Sequence, residues 1–409
     1  MRFSTKLLHG DFAPDEKTGA THTPIYQSVA FRRKTAEELE EIFRGSQPGF
    51  VYTRLNNPTI ESFERRLAHL EGGVAAVACA SGMAAVSLAI LNIVRSGDEI
   101  LCGSGIFGGT YSLFRNLEDF AIKARYAKGA ATADFEACLT ERTRALFVET
   151  IGNPKLDVPD IAALAELAHC HDIPLIVDST ITTPYLVNPL KLGADIVVHS
   201  TSKYINGSGN SIGGVIVDGG RFKWEAAKFP KLQDYRKFGP FAYVAKLRAG
   251  LHKDIGPCAA PFNVFLTSNG LETLALRMER CCQTAHRLAG FFAGHDKVLA
   301  VNYPGLEGSE YHEIAAHQFG GKFGAVLTIR LGTKETAYTV LNNLKYVLDL
   351  ANIGDARTLA IHPASTIYIH SSDAEKEQAG VYNDLIRISV GLEDYEDLEE
   401  DFAAALALI

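Results

Sequence analysis

The chain has 409 residues, of which 47% are hydrophobic, and this length predicts two domains or more around a large core. The formal net charge of −8 and the pI near 5.9 argue against nucleic acid or an anionic membrane surface as a partner, because either would favour a basic face. Small-molecule chemistry is therefore the expected class of function.

The cysteines indicate a reducing compartment. Seven are present, an odd number, with no CxxC pair and no alternating Cys/His spacing of the kind that binds metal. The first 16 residues lack the long apolar stretch of a signal peptide, and no other run approaches the length that spans a bilayer. The expected location is the cytoplasm, and no metal site is expected.

The first 58 residues are rich in polar and turn residues and predict an extended arm. From Thr59 onward, apolar residues recur at helical spacing as far as Leu70, with Thr59 as the expected N-cap behind Pro58. A compact domain is expected to begin here.

Short apolar runs then alternate with helical patterns, which predicts an α/β domain over 59–255 with a mostly parallel, buried sheet. The runs cover 74–80, 99–102, 145–150, 174–178, 195–199 and 213–217. In such sheets ligands bind beyond the carboxyl ends of the strands, so the residues that follow each run are the first candidates for a site.

Beyond residue 255 the pattern predicts a smaller α+β domain over 256–409. Apolar and polar residues alternate in 323–331, 365–370 and 385–391, as expected for strands. Helices are expected at 335–350 and 394–407.

The strongest candidate for chemistry is Lys203, which follows a buried strand together with Ser200 and Ser202 and enters a Gly-rich loop. A partly desolvated lysine has the low pKa that a Schiff base requires, and the hydroxyls beside it suit a phosphate. A lone lysine here would more often be a surface residue.

Asp178 ends another predicted strand, where an acidic residue is usually a turn cap. Placed against a pyridine nitrogen, however, its carboxylate would keep that nitrogen protonated and the ring an electron sink. Together the two residues favour a functional site.

A second phosphate-binding element is expected at Ser81, Gly82 and Met83, which follow a strand and open an apolar helix. Close packing of strand and helix would explain these small residues equally well. Their weight comes from Lys203 and Asp178.

Three glycines favour a competing hypothesis, a NAD-dependent dehydrogenase. Gly103, Gly105 and Gly108 fit GxGxxG after a strand. The match lies in the second strand-turn-helix unit, however, and no acidic residue ends a clear following strand at the ribose-binding spacing.

Taken together, these stretches resemble the Cys/Met-metabolism enzymes that depend on pyridoxal phosphate and share the aspartate aminotransferase fold, fold type I. The matching stretches occur in the family's order over essentially the whole chain: ATHTPIYQSVAF, YTRLNNPT, ASGMAA, FGGTY, ETIGNP, DST, HSTSKYINGSGNSIGG, HPAS and LIRISVGLED.

The resemblance implies roles for twelve residues. Lys203 would carry pyridoxal 5'-phosphate, Asp178 would face the ring nitrogen and Phe107 would stack on the ring. Gly82, Met83, Ser200 and Ser202 would surround the phosphate, which Tyr52 and Arg54 would reach from a neighbouring subunit, so that the arm contributes to its neighbour's site. The remaining three, Arg387, Asn153 and Asn352, would bind the substrate.

The resemblance also implies a homo-oligomer, a dimer of dimers, and a reaction. NIGDA followed by HPAST resembles the O-acetylhomoserine sulfhydrylases, which implies conversion of O-acetyl-L-homoserine and sulfide to L-homocysteine and acetate, with methanethiol giving methionine instead. The alternatives are a methionine γ-lyase, which typically has Cys where this chain has Gly109, and a cystathionine γ-synthase or lyase, in which a Glu takes the place of Arg357. The family's usual Tyr is Phe107 here, so we expect Lys203 or a neighbouring hydroxyl to carry more of the proton transfer.

Overall fold

Two β-sheets organise the part of the chain that the structure, a computed structural model, describes: residues 1–11, 14–15 and 18–409. The strands are β1 Ala75–Cys79, β2 Glu99–Cys102, β3 Lys123–Tyr126, β4 Thr143–Glu149, β5 Leu175–Asp178, β6 Ile196–His199, β7 Gly214–Asp218, β8 Ala300–Asn302, β9 Val326–Arg330, β10 Leu348–Asp349, β11 Leu359–Ile361 and β12 Leu385–Ser389.

The helices connect these strands and cover the sheets. They are α1 Phe3–His9, α2 Ala36–Arg44, α3 Pro58–Glu71, α4 Gly82–Leu91, α5 Gly108–Leu117, α6 Thr132–Glu136, α7 Ile161–Cys170, α8 Thr183–Leu186, α9 Ala242–Ala249, α10 Leu251–Ile255, α11 Pro261–Glu272, α12 Leu274–Ala293, α13 His312–Phe319, α14 Lys334–Asn343, α15 Asp373–Gln378 and α16 Tyr395–Leu406.

The larger sheet has seven strands in the order β1-β7-β6-β5-β4-β2-β3. The five strands β2 to β6 run parallel to one another, and β7 lies antiparallel between β6 and β1. The mostly parallel sheet of an α/β fold is thus confirmed. The sequence did not predict β3, because this edge strand alternates exposed and half-buried residues and carries Lys123 and Arg125.

Both faces of this sheet are buried, which explains its continuous apolar runs. In β4, for example, Leu146 and Val148 pack into one hydrophobic cluster, and Ala145 and Phe147 pack into a second cluster on the opposite face. Because side chains alternate along a strand, each run supplies both clusters at once.

The start of α3 differs from expectation. The N-cap is Asn57, whose Oδ1 accepts a hydrogen bond from the Thr59 amide at 3.0 Å, and Pro58 occupies the first turn. Thr59 instead fastens the preceding segment, because its hydroxyl donates to the carbonyl of Pro24 and accepts from the amide of Tyr26.

The N-terminal segment is not extended throughout. It contains α1, whose Leu7 is buried against the rest of the chain, and α2, in which no residue is buried. Residues 12–13 and 16–17 of the expected arm lie outside the described residues.

The second sheet has five strands in the order β10-β11-β12-β9-β8. The alternation in 365–370 does not form a strand, because backbone amides there bond locally, as when the Tyr368 amide donates to the carbonyl of Pro363 at 3.0 Å. The helix expected at 335–350 ends at Asn343, and just beyond it the amides of Lys345 and Tyr346 donate to the carboxylate of Asp401 instead of continuing the helix.

Two general properties follow from the described ranges. None of their helices is long and apolar enough to cross a membrane. They also contain no group of three or more His, Cys, Asp and Glu side chains placed to hold a metal ion.

Candidate functional site

A cavity of about 460 Å³ opens at the carboxyl ends of the parallel strands and reaches the second sheet. Ten of the twelve predicted site residues line it: Gly82, Met83, Phe107, Asn153, Asp178, Ser200, Ser202, Lys203, Asn352 and Arg387. The topology accounts for this convergence, because strand ends that are far apart in sequence meet at one edge of the sheet.

Lys203 lies in the turn that follows β6 and is one of the residues that line the cavity. Its Nζ donates a hydrogen bond to Oδ1 of Asn352. Burial, aided by the positive charge of Arg387, lowers the pKa of Lys203 to about 8. Far more of this amine is therefore neutral and nucleophilic near neutral pH than of an ordinary lysine.

Two carboxyl groups form one wall of the cavity. Asp178 ends β5 and is paired in register with Glu149 at the end of β4. Burial raises the pKa of Asp178, and burial together with the charge of Asp178 raises the pKa of Glu149 well above its usual range. A cation at this wall would oppose both effects, because an opposite charge favours the ionised carboxylate.

Sequence reasoning missed Glu149, which ends a predicted strand just as Asp178 does. Its Oε1 accepts a hydrogen bond from the backbone amide of Phe107 at 2.6 Å. The carboxyl group thereby fixes the loop that carries the aromatic ring.

The N-terminus of α4 offers a site for an anion. Ser81 caps the helix by accepting from the amide of Ala84 at 3.1 Å, and the amides of Gly82 and Met83 lie in the first turn, where they have no partner within the helix. A Cβ at residue 82 would lie 2.5 Å from the Cβ of Ser200, so only glycine permits this close approach.

Ser202 also has a structural role in this cradle. Its hydroxyl donates to the carbonyl of Gly213 at 3.1 Å and accepts from the amide of the same residue at 3.0 Å. It therefore holds the Gly-rich loop closed against the turn that carries Lys203.

Arg387 is almost fully buried, with 4% of its surface exposed. Its Nη1 donates to Oδ1 of Asn153 at 3.0 Å and its Nη2 donates to the carbonyl of Asn352 at 3.1 Å. Its Nε is buried without a partner among the described residues. Burial lowers its pKa to about 10, and an arriving carboxylate would satisfy both the charge and the free donor.

Phe107 lies just before α5 and lines the cavity. A Cβ at residue 109 would approach Cε1 of the Phe107 ring to 2.5 Å, so Gly109 sets the position of the ring. Behind the loop, the buried hydroxyl of Tyr368 lies 3.4 Å from the carbonyl of Asn153, and sequence reasoning did not identify this residue.

Tyr52 and Arg54 do not line the cavity of their own chain. The Arg54 guanidinium lies 5.3 Å from the centre of the Tyr52 ring, and its Nη1 donates to the carbonyl of Lys253. Tyr52 is 40% exposed, so the pair faces outward from this subunit.

The glycines that suggested a dinucleotide have other functions in the fold. A Cβ at Gly105 would fall 1.8 Å from a carboxylate oxygen of Asp157, and a Cβ at Gly108 would lie 3.2 Å from the ring of Tyr368. They permit close packing of side chains against the backbone.

The cavity fits pyridoxal phosphate in three respects. The amine of Lys203 is desolvated, and the helix start at Gly82 is an anion site that a Cβ would fill. The two acids Asp178 and Glu149 form a wall suited to a protonated ring nitrogen.

Comparisons with known proteins agree with this assignment. The model of the Cys/Met metabolism PLP-dependent enzyme family matches residues 4–407. The chain is 41% identical over 419 residues to the homocysteine synthase of Schizosaccharomyces pombe, covering 99% of this chain and 98% of that protein. It is also 41% identical over 423 residues to the O-acetyl-L-homoserine sulfhydrylase of Leptospira meyeri, covering 98% and 96%.

Among solved structures, a putative O-acetylhomoserine (thiol)-lyase from Campylobacter jejuni, which contains N'-pyridoxyl-lysine-5'-monophosphate, superposes with a TM-score of 0.94 at 32% identity, and the match covers 100% of both chains. The family match rules out the dinucleotide alternative and agrees with the site geometry. The chain belongs to the family of Cys/Met metabolism PLP-dependent enzymes.

Proposed function

We propose that this enzyme catalyses γ-replacement on O-acetyl-L-homoserine, with sulfide or methanethiol as the incoming nucleophile. The observation that carries the proposal is the cavity, whose lining combines the desolvated amine of Lys203, the acidic wall at Asp178 and the buried guanidinium of Arg387. The relatives named as O-acetylhomoserine sulfhydrylases support the choice of substrate.

When bound, pyridoxal phosphate supplies the electron sink that makes protons at Cα and Cβ of an amino acid removable. Lys203 is the residue that takes and returns these protons, since its lowered pKa suits acid–base catalysis near neutrality. Asp178 would hold the ring nitrogen protonated, and the amides of Gly82 and Met83 would bind the phosphate together with the hydroxyl of Ser200.

The substrate carboxylate is held by Arg387. Its free Nε–H and the adjacent Asn153 amide give the carboxylate a defined orientation, with Asn352 fixing Lys203 on the other side. Phe107 would stack on the ring and has no proton to donate, so Lys203 or a neighbouring hydroxyl would carry the transfer.

The lyase and cystathionine alternatives are less well supported by the residues present. The side chain of Arg357, where cystathionine enzymes would have Glu, is 66% exposed and pairs with Asp355 outside the cavity. Gly109, where methionine γ-lyases typically have Cys, leaves no room for a side chain beside the ring of Phe107.

In this proposal each chain has an α/β domain at 59–255 and a smaller domain at 256–409. The arm, residues 1–58, completes the site of a neighbouring subunit, and the subunits assemble as a dimer of dimers. The outward position of Tyr52 and Arg54, and α2 with exposed Phe43, support a partner surface. All seven cysteines are free thiols, which supports a reducing compartment such as the cytoplasm.

Product analysis tests the reaction. Purified enzyme incubated with O-acetyl-L-homoserine and sulfide should release homocysteine and acetate in equal amounts, and O-succinyl-L-homoserine in a parallel assay tests the acyl group. Methionine and cystathionine, each offered alone, serve as the lyase controls. Rapid 2-oxobutanoate formation from methionine, without homocysteine synthesis, would replace the proposed function with a lyase.

A further inference from the structure

Behind the wall that carries Asp178, two side chains without solvent exposure are joined by a hydrogen bond. Nε2 of His199 lies 2.7 Å from Oε1 of Glu71, and both side chains are 0% exposed. Glu71 is the last residue of α3 and His199 is the last residue of β6, so the pair joins a helix to the strand beside Asp178.

The hydrogen bonds restrict the protonation of this pair. Nδ1 of His199 lies 3.1 Å from the carbonyl oxygen of Ser179, which can only accept, so Nδ1 carries a hydrogen. Nε2 faces a carboxyl oxygen, so a further proton lies between His199 and Glu71. With Glu71 as a carboxylate, the imidazole carries both protons and a positive charge.

The arrangement carries costs to stability. Oε2 of Glu71 is buried without a hydrogen-bond partner among the described residues, and Glu71 lies at a helix C-terminus, where the dipole disfavours a negative charge. A buried ion pair generally contributes little net stability, because desolvation offsets its attraction.

The pair lies next to Asp178. Val198, the neighbour of His199, is paired with Asp178 across the sheet, and the carbonyl that His199 contacts belongs to the residue after Asp178. Burial raises the pKa of Asp178, and the hydrogen bonds from Thr180, followed by the charge of His199, oppose that rise. Glu149 faces the same carboxyl group from β4, and Lys6 of α1 faces Glu71.

We infer that Glu71 and His199 are positioning residues that keep Asp178 a carboxylate, through which this chain holds the ring nitrogen of its cofactor protonated. Glu71 fixes the positive charge on His199, and His199 opposes the cost of burying the charge of Asp178. This inference rests on the proposed role of Asp178 and is independent of the proposed acyl substrate.

The test compares holoenzymes of Glu71→Gln and the wild type, with Glu64→Gln as the matched control. Glu64 lies on the same helix, is also buried and also has a cationic partner, Arg248, but it bonds to the amide of Ala78 in β1. Glu71→Gln leaves a neutral His199, since burial disfavours an unpaired charge. The ring nitrogen then loses its proton more readily. As a result, the nitrogen of Lys203 that is bonded to the cofactor keeps its proton to higher pH.

Glu71→Gln is expected to raise, by about one unit, the pH midpoint at which the visible absorbance of the bound cofactor changes. It should also lower kcat about tenfold, with KM within about twofold of wild type. His199→Asn, which retains a donor for the Ser179 carbonyl, should give the same two changes and is the alternative if Glu71→Gln does not fold. Glu64→Gln should shift only the thermal unfolding midpoint.

An absorbance midpoint that stays at the wild-type value in both folded variants, or that moves equally in Glu64→Gln, would show that the pair is merely structural. Because the absorbance titration uses no substrate, a wild-type enzyme that failed to convert O-acetylhomoserine would overturn the proposed function and leave this test unaffected.

Discussion

The guanidinium of Arg387 donates to the side-chain oxygen of Asn153 at 3.0 Å, although 234 positions separate the two residues in the chain. The contact joins the second sheet to the loop after β4 of the first and places a buried cation in the cavity that Lys203 also lines. It defines where an amino-acid carboxylate can bind.

Replacing Arg387 by Lys tests this carboxylate site. Lys keeps the charge but loses the planar, bidentate donor set, so we expect KM for O-acetylhomoserine to rise by about 10- to 100-fold with a smaller change in kcat. Steady-state kinetics measure both constants. Arg357→Lys is the control, since Arg357 is exposed, and an unchanged KM in Arg387→Lys would place the carboxylate elsewhere.

The lowered pKa of Lys203 predicts a pH dependence. In protein freed of cofactor, only the neutral amine reacts, so the rate of reductive labelling of Lys203 should rise with a midpoint near pH 8, where an ordinary lysine would remain charged. Arg387→Leu removes the neighbouring positive charge and should move this midpoint upward, still below the ordinary lysine value because burial is the larger cause. Peptide mapping by mass spectrometry measures the rate, and a midpoint at or above 10 would contradict the prediction.

Lys203→Arg should abolish turnover while the fold persists. Arginine retains the positive charge but cannot form the cofactor bond or exchange protons near neutral pH, so kcat should fall by at least about 10³-fold. Borohydride should attach the cofactor at residue 203 in the wild type and not in the variant. Turnover above a tenth of wild type would assign the proton transfer to another group.

The ring position set by Gly109 can be tested by adding one carbon. Gly109→Ala places a Cβ 2.5 Å from Cε1 of Phe107, so the ring must move, and we expect kcat to fall by about tenfold. Gly308→Ala is the control, because a Cβ there meets nothing within 4 Å. Equal activity of the two variants would show that the ring position is not important.

Phe107→Tyr tests whether Lys203 has assumed extra proton transfer. A phenol at this position adds an acid–base group beside the cofactor face, so the γ-elimination step should become much faster in rapid-mixing experiments. Phe107→Leu, which lacks both ring and hydroxyl, separates stacking from proton transfer. An unchanged rate in Phe107→Tyr would weaken the hypothesis about Lys203.

Mixing subunits tests the shared site. Lys203→Ala and Arg54→Ala chains should each have little activity alone, but unfolding and refolding them together should restore about a quarter of wild-type activity, because half of the random dimers carry one intact site. A mixture that gains no activity would place Arg54 outside its neighbour's site.

Several parts of the site were predictable because they lie at strand ends. Lys203, Asp178 and the turn at Gly82 each follow a buried apolar run, and parallel topology brings such positions together. The strand pattern of 365–370 was misleading, since Pro363 anchors a local turn there, and Tyr368 could not be identified from alternation. The N-cap of α3 was misplaced by two residues because Thr59 fastens the arm.

By itself, the sequence determined the α/β architecture, the six buried strands it predicted and the family, because these depend on local hydrophobic runs and on ordered motifs along the chain. Only the tertiary structure decided which polar groups lose their water. Burial gives Lys203 its low pKa and makes Arg387 a buried cation. The pairing of β4 with β5 brings Glu149 beside Asp178. Desolvation is a property of the assembled cavity, to which residues from both sheets contribute, and no stretch of sequence contains it.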